Sequence, residues 1–381
     1  MKIAMVASDY APTIGGVQTA VRNIAHYATQ MGHTVIILSA QPTRDIPARE
    51  FVDGILVHRF PWGRRPLYSL LPRAAFTFLQ MARTLRAFQP DLVYIHFLTI
   101  NALYVLLLHY FLRFKMVASA RGNDIQGIPA RSRAQRWMLP RLFARANAIL
   151  FCSTMVQRDA APYLRAASPR AYVGIVGDGF NPDEFARPRA YAHPAPYLLA
   201  MGRLVEKKGF DLLIRAFAQI ASDFPRVELL IAGDGEARGA LEFLVADLQM
   251  QNRVRLLGFA DRAKTIALFF GCEFFVLSSR LEPFGIVVLE AMAARKAVLA
   301  TRSGGIMDLV QDGVNGKLVE VEIESLARGL SDFLSRPAET RAMGERAPAT
   351  IAQWTWRAVT QQFVDVFTKV VTPVEARDER L

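Results

Sequence analysis

Residues 197–221 read YLLAMGRLVEKKGFDLLIRAFAQIA. The first five, Tyr197–Met201, are a short unbroken apolar run, the pattern of a strand buried on both faces. A turn bounded by Gly202 and Gly209 follows, and from Asp211 to Ala221 the apolar residues return with helical spacing. Strand, turn and helix make one βα unit, and the unit recurs. Downstream, strands are expected at Val227–Ala232, Val254–Leu257, Phe274–Ser278 and Ala297–Ala300, alternating with helices at Ala237–Leu248, Ala263–Phe270 and Phe284–Ala294. Upstream, apolar runs at Ile3–Ala7, Thr34–Ala40, Leu92–Ile95, Met116–Ala120 and Ala148–Cys152 read the same way. An amphipathic helix at Val17–Met31 is stopped by Gly32. Alternating strands and helices imply parallel sheets with right-handed crossovers, and two such blocks imply two doubly wound, Rossmann-like α/β domains.

Three prolines, Pro188, Pro194 and Pro196, separate the blocks and suit a linker. The expected organisation is a first domain over 1–187, a second over 197–350, and a terminal region 351–381 with a helix near Trp356–Val371 and a charged tail. The 381 residues are 52% hydrophobic and 21% charged, which excludes a disordered chain. Cys152 and Cys272 stand far apart with no CxxC pair, which excludes a disulfide framework, a zinc ribbon and an iron–sulfur site and fits a reducing compartment. The opening MKIAMVASDYAPTIGG has no signal-peptide pattern. The most apolar later segment, Ile100–Leu112, holds Asn101 and His109 and falls short of the ~20 residues a bilayer span needs. A cytoplasmic protein without a spanning helix is expected.

The net charge of +12 is unevenly spread: residues 1–190 carry 23 Lys/Arg against 10 Asp/Glu, and residues 191–381 carry 23 against 24. A polyanionic partner for the first half follows. Arg64, Arg65 and Arg73 interleave with Trp62, Leu67, Tyr68, Leu70 and Leu71. Arg131, Arg133, Arg136, Arg141 and Arg145 accompany Trp137, Met138, Leu139, Leu142 and Phe143. Such mixtures suit either an anionic membrane surface or a solvated basic helix face. Nucleic acid fits poorly, because no binding motif accompanies the charge.

In open parallel sheets ligands bind at the carboxyl ends of the strands, so the strand-to-helix loops carry the candidates. The first loop, Ser8–Gly16, ends in Gly15-Gly16. The second, Gly202–Gly209, sets Arg203 and Lys208 before a helix, a clamp for a diphosphate or else an ordinary basic turn. The third, Ser278–Glu290, spaces two glutamates as E-x7-E, with Glu282 in the loop, Pro283 expected to open the helix, and Glu290 two turns on. Over ~12 Å the carboxylates cannot share one metal or one proton, but they reach opposite ends of an elongated ligand. Each glutamate also has a structural reading, as a helix-dipole partner or a salt-bridge member. His96, at the end of a strand, is either a core histidine or a residue facing the ligand.

Taken together, Gly15-Gly16, GRLVEKKG at 202–209, Gly233-Asp234-Gly235, EPFGIVVLE at 282–290, Gly304-Gly305 and Asp312-Gly313 resemble the retaining glycosyltransferases of family 4. The resemblance runs from about residue 1 to about 320, with the E-x7-E stretch as its specific part. It implies the GT-B architecture, with two Rossmann-like domains facing a central cleft, the second holding a nucleotide diphosphate sugar and the first an acceptor. By the same resemblance Arg203 and Lys208 hold the donor diphosphate and Glu290 the ribose. Glu282 attends the sugar, with Phe284, Gly285 and Ile286 offering backbone N–H groups. Gly15 and Gly16 approach the phosphates, and Gly233, Gly235 and Phe259 border the nucleotide. No bound metal or other cofactor is implied, and no D-x-D triplet occurs. Two departures stand out. Arg121 occupies the place of the family's histidine in Arg121-Gly122-Asn123-Asp124, leaving Arg121, Asp124 and His96 as candidate substrate contacts. At Ala293–Ala297 a glycine and a proline are missing, and local repacking is expected.

The leading expectation is therefore a retaining, metal-independent transferase acting on a lipid-linked or anionic glycan acceptor, peripheral on the inner membrane face. The alternatives are a nucleotide-sugar epimerase or hydrolase of the same fold, and a non-catalytic membrane-associated binding protein.

Overall fold

The computed structural model describes residues 1–372 other than 14, 42, 44, 62–69 and 188. The arginine-rich loop with Trp62, Arg64, Arg65, Leu67 and Tyr68, together with Pro188 and the charged tail, lies outside the described residues. The chain forms two compact units, one of Met1–Asp178 with the segment from Trp356 onward, the other of Gly179–Thr355.

The first unit is built on β1 (Lys2–Ala7), β2 (Thr34–Ala40), β3 (Arg49–Val52), β4 (Ile55–Phe60), β5 (Leu92–His96), β6 (Lys115–Ala120), β7 (Ala148–Phe151) and β8 (Tyr172–Ile175). The strand order is β3-β4-β2-β1-β5-β6-β7-β8, parallel except for the β3–β4 hairpin. From β1 the chain winds first towards β2 and later, through β5, the other way. The loops after β1, β5 and β6 thus share the carboxyl edge. The helix Trp356–Val371 completes this unit. It buries Trp356, Val359, Phe363 and Phe367, and the last two rings meet Tyr94 of β5 at 5.4 and 5.2 Å.

The second unit carries β9 (Tyr197–Met201), β10 (Glu228–Ala232), β11 (Val254–Gly258), β12 (Phe275–Leu277), β13 (Val298–Thr301) and β14 (Gly316–Val319), all parallel, in the order β11-β10-β9-β12-β13-β14. The helix Phe210–Ile220 buries Phe210, Leu213, Ile214, Phe217 and Ile220 against Leu198, Ala200, Leu229, Ile231 and Phe274. Each such side chain contributes roughly 1.5–3 kcal/mol of apolar burial. Among the described residues no helix is long and apolar enough to cross a membrane.

The structure departs from three sequence expectations. The chain leaves the first unit at 178/179, ahead of the proline cluster. Residues 191–196 already belong to the second unit, where the Tyr191 N–H donates to the Ala267 carbonyl at 2.9 Å and His193 meets Glu228 at 3.1 Å. The terminal helix is part of the first unit, because its apolar face finds its core there. The helix after β12 begins at Ile286 and not at Pro283, because Gly285 takes a left-handed φ of 101° that no right-handed helix contains. At 293–297, Arg295 sits at φ 58° and pairs with Glu345 at 2.7 Å, while Lys296 Nζ donates to the Cys272 carbonyl at 2.6 Å.

Candidate functional site

In the second unit Asp312-Gly313 leads into β14 at one edge of the sheet, whereas the loops after β9, β10, β11, β12 and β13 lie on the opposite, carboxyl edge. The loops after β9, β10 and β11 stack backbone on backbone there. Gly202 N–H donates to the Ala232 carbonyl at 3.0 Å, Gly233 N–H to the Gly258 carbonyl at 2.8 Å and Leu204 N–H to the Asp234 carbonyl at 2.9 Å. A Cβ on Gly233 would stand 1.9 Å from the Gly202 carbonyl oxygen, and one on Gly235 would stand 2.3 Å from that of Leu204. The demand for glycine here comes from contact between loops, before any ligand is considered. Phe259, next after β11 and its neighbour Gly258, is 67% exposed.

Since β9 and β12 are neighbours, the loop 202–209 lies against the loop 278–285. Ser278 Oγ donates to the Lys208 carbonyl at 3.1 Å and the Arg280 N–H donates to the Lys207 carbonyl at 2.8 Å. Arg280 also forks onto both carboxylate oxygens of Asp211 at 2.7 Å, and these hydrogen bonds hold Asp211 below the usual carboxylate range. Locked in this way, Lys208 directs its ammonium onto the carboxylate of Glu282. Ser279 Oγ donates to the same carboxylate at 3.1 Å, and Glu282 is buried. The Glu282 carbonyl accepts the Gly305 N–H at 2.9 Å, which ties in the Gly304–Asp308 turn. Arg203, on the same loop as Lys208, is exposed and has no ion pair among the described residues.

Gly285 brings the chain into the helix Ile286–Ala293, whose first N–H groups lack partners within the helix. A Cβ on Gly285 would meet Ile306 Cδ1 at 2.6 Å. About one turn into this helix, Glu290 accepts from Arg262 Nη1 at 2.5 Å. Arg262 also pairs with Glu184 and lies over the Phe185 ring at 5.6 Å. Burial raises the Glu290 carboxyl above its ordinary range, and Arg262 opposes that rise. The two glutamates of the E-x7-E spacing therefore have separate cations, Lys208 for Glu282 and Arg262 for Glu290.

In the first unit, Gly15 is extended and Gly16 opens the helix Gly16–Gln30. Arg121, Asp124 and His96 are turned into the interior. Arg121 donates to the carbonyls of Val176 at 2.9 Å and Gly177 at 3.2 Å and pairs with Asp178. Asp124 accepts the N–H groups of Leu98 at 2.8 Å and Arg121 at 3.0 Å. His96 is fully buried, with Nδ1 2.7 Å from the Tyr94 hydroxyl, and burial followed by the Arg121 charge keeps its pKa well below the ordinary value. Of the two readings of His96, the structure supports the core histidine. The permanent cation at 121 clasps the chain leaving β8.

Sequence reasoning missed Ser279, Arg280, Asp211, Arg262, Glu184 and Asp178. Ser279 and Arg280 stood inside the stretch already singled out. The others have partners 28 to 78 positions away, and nothing local marks them. Among the described residues no group of three or more His, Cys, Asp and Glu side chains is placed to hold a metal ion.

A family model for glycosyl transferases group 1 matches residues 160–350, 191 of the 381, and one for glycosyltransferase family 4 matches residues 14–184. A lipopolysaccharide core biosynthesis glycosyltransferase, LpsE of Rhizobium meliloti, is 36% identical over 174 residues, which span 45% of this chain and 49% of that one. Sucrose-phosphate synthase from Thermosynechococcus elongatus superposes with a TM-score of 0.79 at 20% identity, covering 97% of this chain and 98% of the other. Anabaena HepE in complex with UDP-glucose superposes with a TM-score of 0.75 at 22% identity, covering 97% and 100%.

Proposed function

The chain belongs to the group 1 glycosyl transferases, with the GT-B architecture, and we propose that it moves a sugar from a nucleotide diphosphate sugar to a lipid-linked or anionic glycan acceptor, with retention of anomeric configuration and without a metal. The proposal extends to the division of labour between units, donor on the second and acceptor on the basic first. It also places the enzyme peripherally on the cytoplasmic face of an anionic membrane.

The observation that carries this reading is the meeting of Lys208 and Glu282 beside the start of the helix Ile286–Ala293. A cation for a leaving diphosphate and a carboxylate for sugar hydroxyls stand side by side, with helix N–H groups next to them. Arg203, exposed on the same loop, adds a second cation, so Arg203 and Lys208 supply the charge that a metal supplies in other sites. Glu290 takes the ribose, with Arg262 fixing its carboxylate. The bound HepE complex supports a nucleotide sugar as donor, and the resemblance to LpsE supports a lipid-borne glycan as acceptor.

Glu282 is buried, hydrogen-bonded and paired, which suits recognition of hydroxyls better than attack on carbon. The step is then a displacement on one face of the sugar. The bond from the anomeric carbon to the diphosphate oxygen breaks and the acceptor oxygen bonds to the same face. The acceptor proton passes to the departing phosphate oxygen.

A thermal-shift screen against UDP, GDP, ADP and their sugars, followed by transfer to glycan acceptors, tests the reading. One nucleotide series is expected to raise Tm in the wild type and not in Arg203→Ala/Lys208→Ala. Turnover of the sugar nucleotide at full rate without any acceptor would replace transfer by epimerisation or hydrolysis.

A further inference from the structure

We propose that three helices of the first unit, Leu70–Phe88, Ala102–Leu112 and Arg133–Arg145, form one face that seats the protein on an anionic lipid bilayer by inserting aromatic rings. The proposal rests on the peripheral-membrane part of the reading above and adds the face and the mode of binding.

Phe111 is 71% exposed, Phe76 53%, Leu79 54%, Tyr110 51% and Trp137 50%. Scattered apolar residues on a surface need no explanation, but a contiguous patch does. Contacts between the helices make this one contiguous. The Phe78 and Phe111 rings meet at 6.1 Å, joining the first helix to the second. The Arg145 guanidinium lies 4.6 Å from the Tyr110 ring, joining the second to the third. Ala102–Leu112 is apolar on both sides: Val105, Leu106 and Leu108 are buried, while Leu107, Tyr110 and Phe111 face outward. A helix apolar all round with one side uncovered calls for a non-aqueous neighbour.

Charge identifies that neighbour. None of the three helices contains Asp or Glu. From Gly54 to Arg158 the chain has 15 Lys/Arg against Asp91 and Asp124, a net +13. Asp124 is buried and Asp91 accepts the Lys2 N–H at 2.7 Å, so neither opposes the arginines of the face. The Arg141 guanidinium lies over the Trp137 ring at 4.1 Å, as that of Arg145 lies over Tyr110 at 4.6 Å. Each pair offers a ring to the acyl boundary and a guanidinium fork to lipid phosphates. A second copy of the chain would bring the same unopposed positive charge and repel. No described helix is able to span, so insertion stops at the interface.

The test is flotation of the full chain with phosphatidylglycerol vesicles and, separately, phosphatidylcholine vesicles. Wild type is expected to float with the anionic vesicles and far less with the neutral ones. Phe111→Ser and Trp137→Ser each lower binding about tenfold, through lost ring burial. Phe243→Ser, 73% exposed on the second unit, leaves binding unchanged. All these side chains are half exposed or more, so unchanged melting curves show that folding is intact. Brominated phosphatidylglycerol quenches tryptophan fluorescence, and Trp137→Phe removes most of that quenching. If wild type floats and the Phe111 and Trp137 variants float equally well, the face is wrong and the peripheral reading stands. Failure of wild type to float at low salt overturns both. A concentration-dependent dimer dissociated by Phe111→Ser, without flotation, would assign the face to a second copy and overturn the proposal.

Discussion

The ammonium of Lys208 and the carboxylate of Glu282 form an ion pair across 74 positions of the chain. They meet because β9 and β12 are sheet neighbours, with Phe275 in register with Leu199, so both loops leave the same edge. In the absence of donor the two groups satisfy one another. On the proposed function, a diphosphate bound between Arg203 and Lys208 would draw the ammonium away and free Glu282 for sugar hydroxyls. Lys208→Ala is therefore expected to act twice. Transfer loses about 2–4 kcal/mol of transition-state stabilisation, read from kcat/KM. The fold loses about 1–3 kcal/mol, because Glu282 keeps only Ser279 in a buried place. Adding Glu282→Gln recovers stability but not rate; additive losses in urea unfolding would show that the pair is uncoupled.

The two glutamates should separate by assay. Glu290→Gln weakens binding of the nucleotide diphosphate itself, by roughly 1–3 kcal/mol in titration calorimetry. Glu282→Gln leaves that affinity nearly intact and lowers kcat. Equal loss of nucleotide affinity in both, with unchanged melting, would overturn the assignment of ribose to one and sugar to the other.

Burial raises the Glu290 carboxyl, Arg262 opposes the rise, and the charge of Glu184 adds to it. The folded protein thus holds this proton to higher pH than the unfolded chain does. Keeping Glu290 ionised costs stability as pH rises through the folded value. If the ionised form takes the ribose hydroxyls, nucleotide affinity increases from mildly acid to neutral pH, with a midpoint above the ordinary carboxylate range. Arg262→Ala moves that midpoint higher, since burial then acts unopposed. An unshifted midpoint in Arg262→Ala, or the same pH dependence in Glu290→Gln, would remove Glu290 from the titration.

With Arg203 and Lys208 as the charge on the diphosphate, sugar transfer is expected to continue in excess EDTA. Complete loss of activity that Mg²⁺ or Mn²⁺ restores would sink the cation clamp.

Arg121 is expected to matter for stability. Arg121→Ala leaves Asp178 without its cation in the interior and costs about 3–5 kcal/mol. Arg121→His, which restores the family's residue, has one ring in place of three donor contacts and is destabilised too. Nucleotide binding by the second unit should be unaffected in Arg121→His. A His variant as stable as wild type in urea would show that the clasp is dispensable.

Much of the fold was legible because a strand covered on both faces leaves an unbroken apolar run. Thr34–Ala40 and Tyr197–Met201 were placed to the residue, and the other runs to within two. The strands that escaped lie towards the sheet edges. Arg49–Val52 is largely uncovered and carries no run to read, whereas Tyr172–Ile175, also largely uncovered, lies in the short apolar stretch 171–176 interrupted by Gly174. The helix after β12 was misplaced at its start because a proline invites a helix, whereas the left-handed turn at Gly285 delays it by three residues.

The two α/β blocks, the positions of the glycine turns, the E-x7-E spacing and the excess of positive charge in the first half are all readable from the linear chain. These are local or additive properties, set by burial periodicity, backbone freedom and counting. That Lys208 faces Glu282, that Arg262 holds Glu290, that Arg121 turns inward onto Asp178, and that Phe111, Tyr110 and Trp137 are left exposed emerges from the folded chain. Side chains 28 or more positions apart meet through strand order and helix packing, and a charged group takes whichever partner burial brings within reach. A linear spacing does not record that choice.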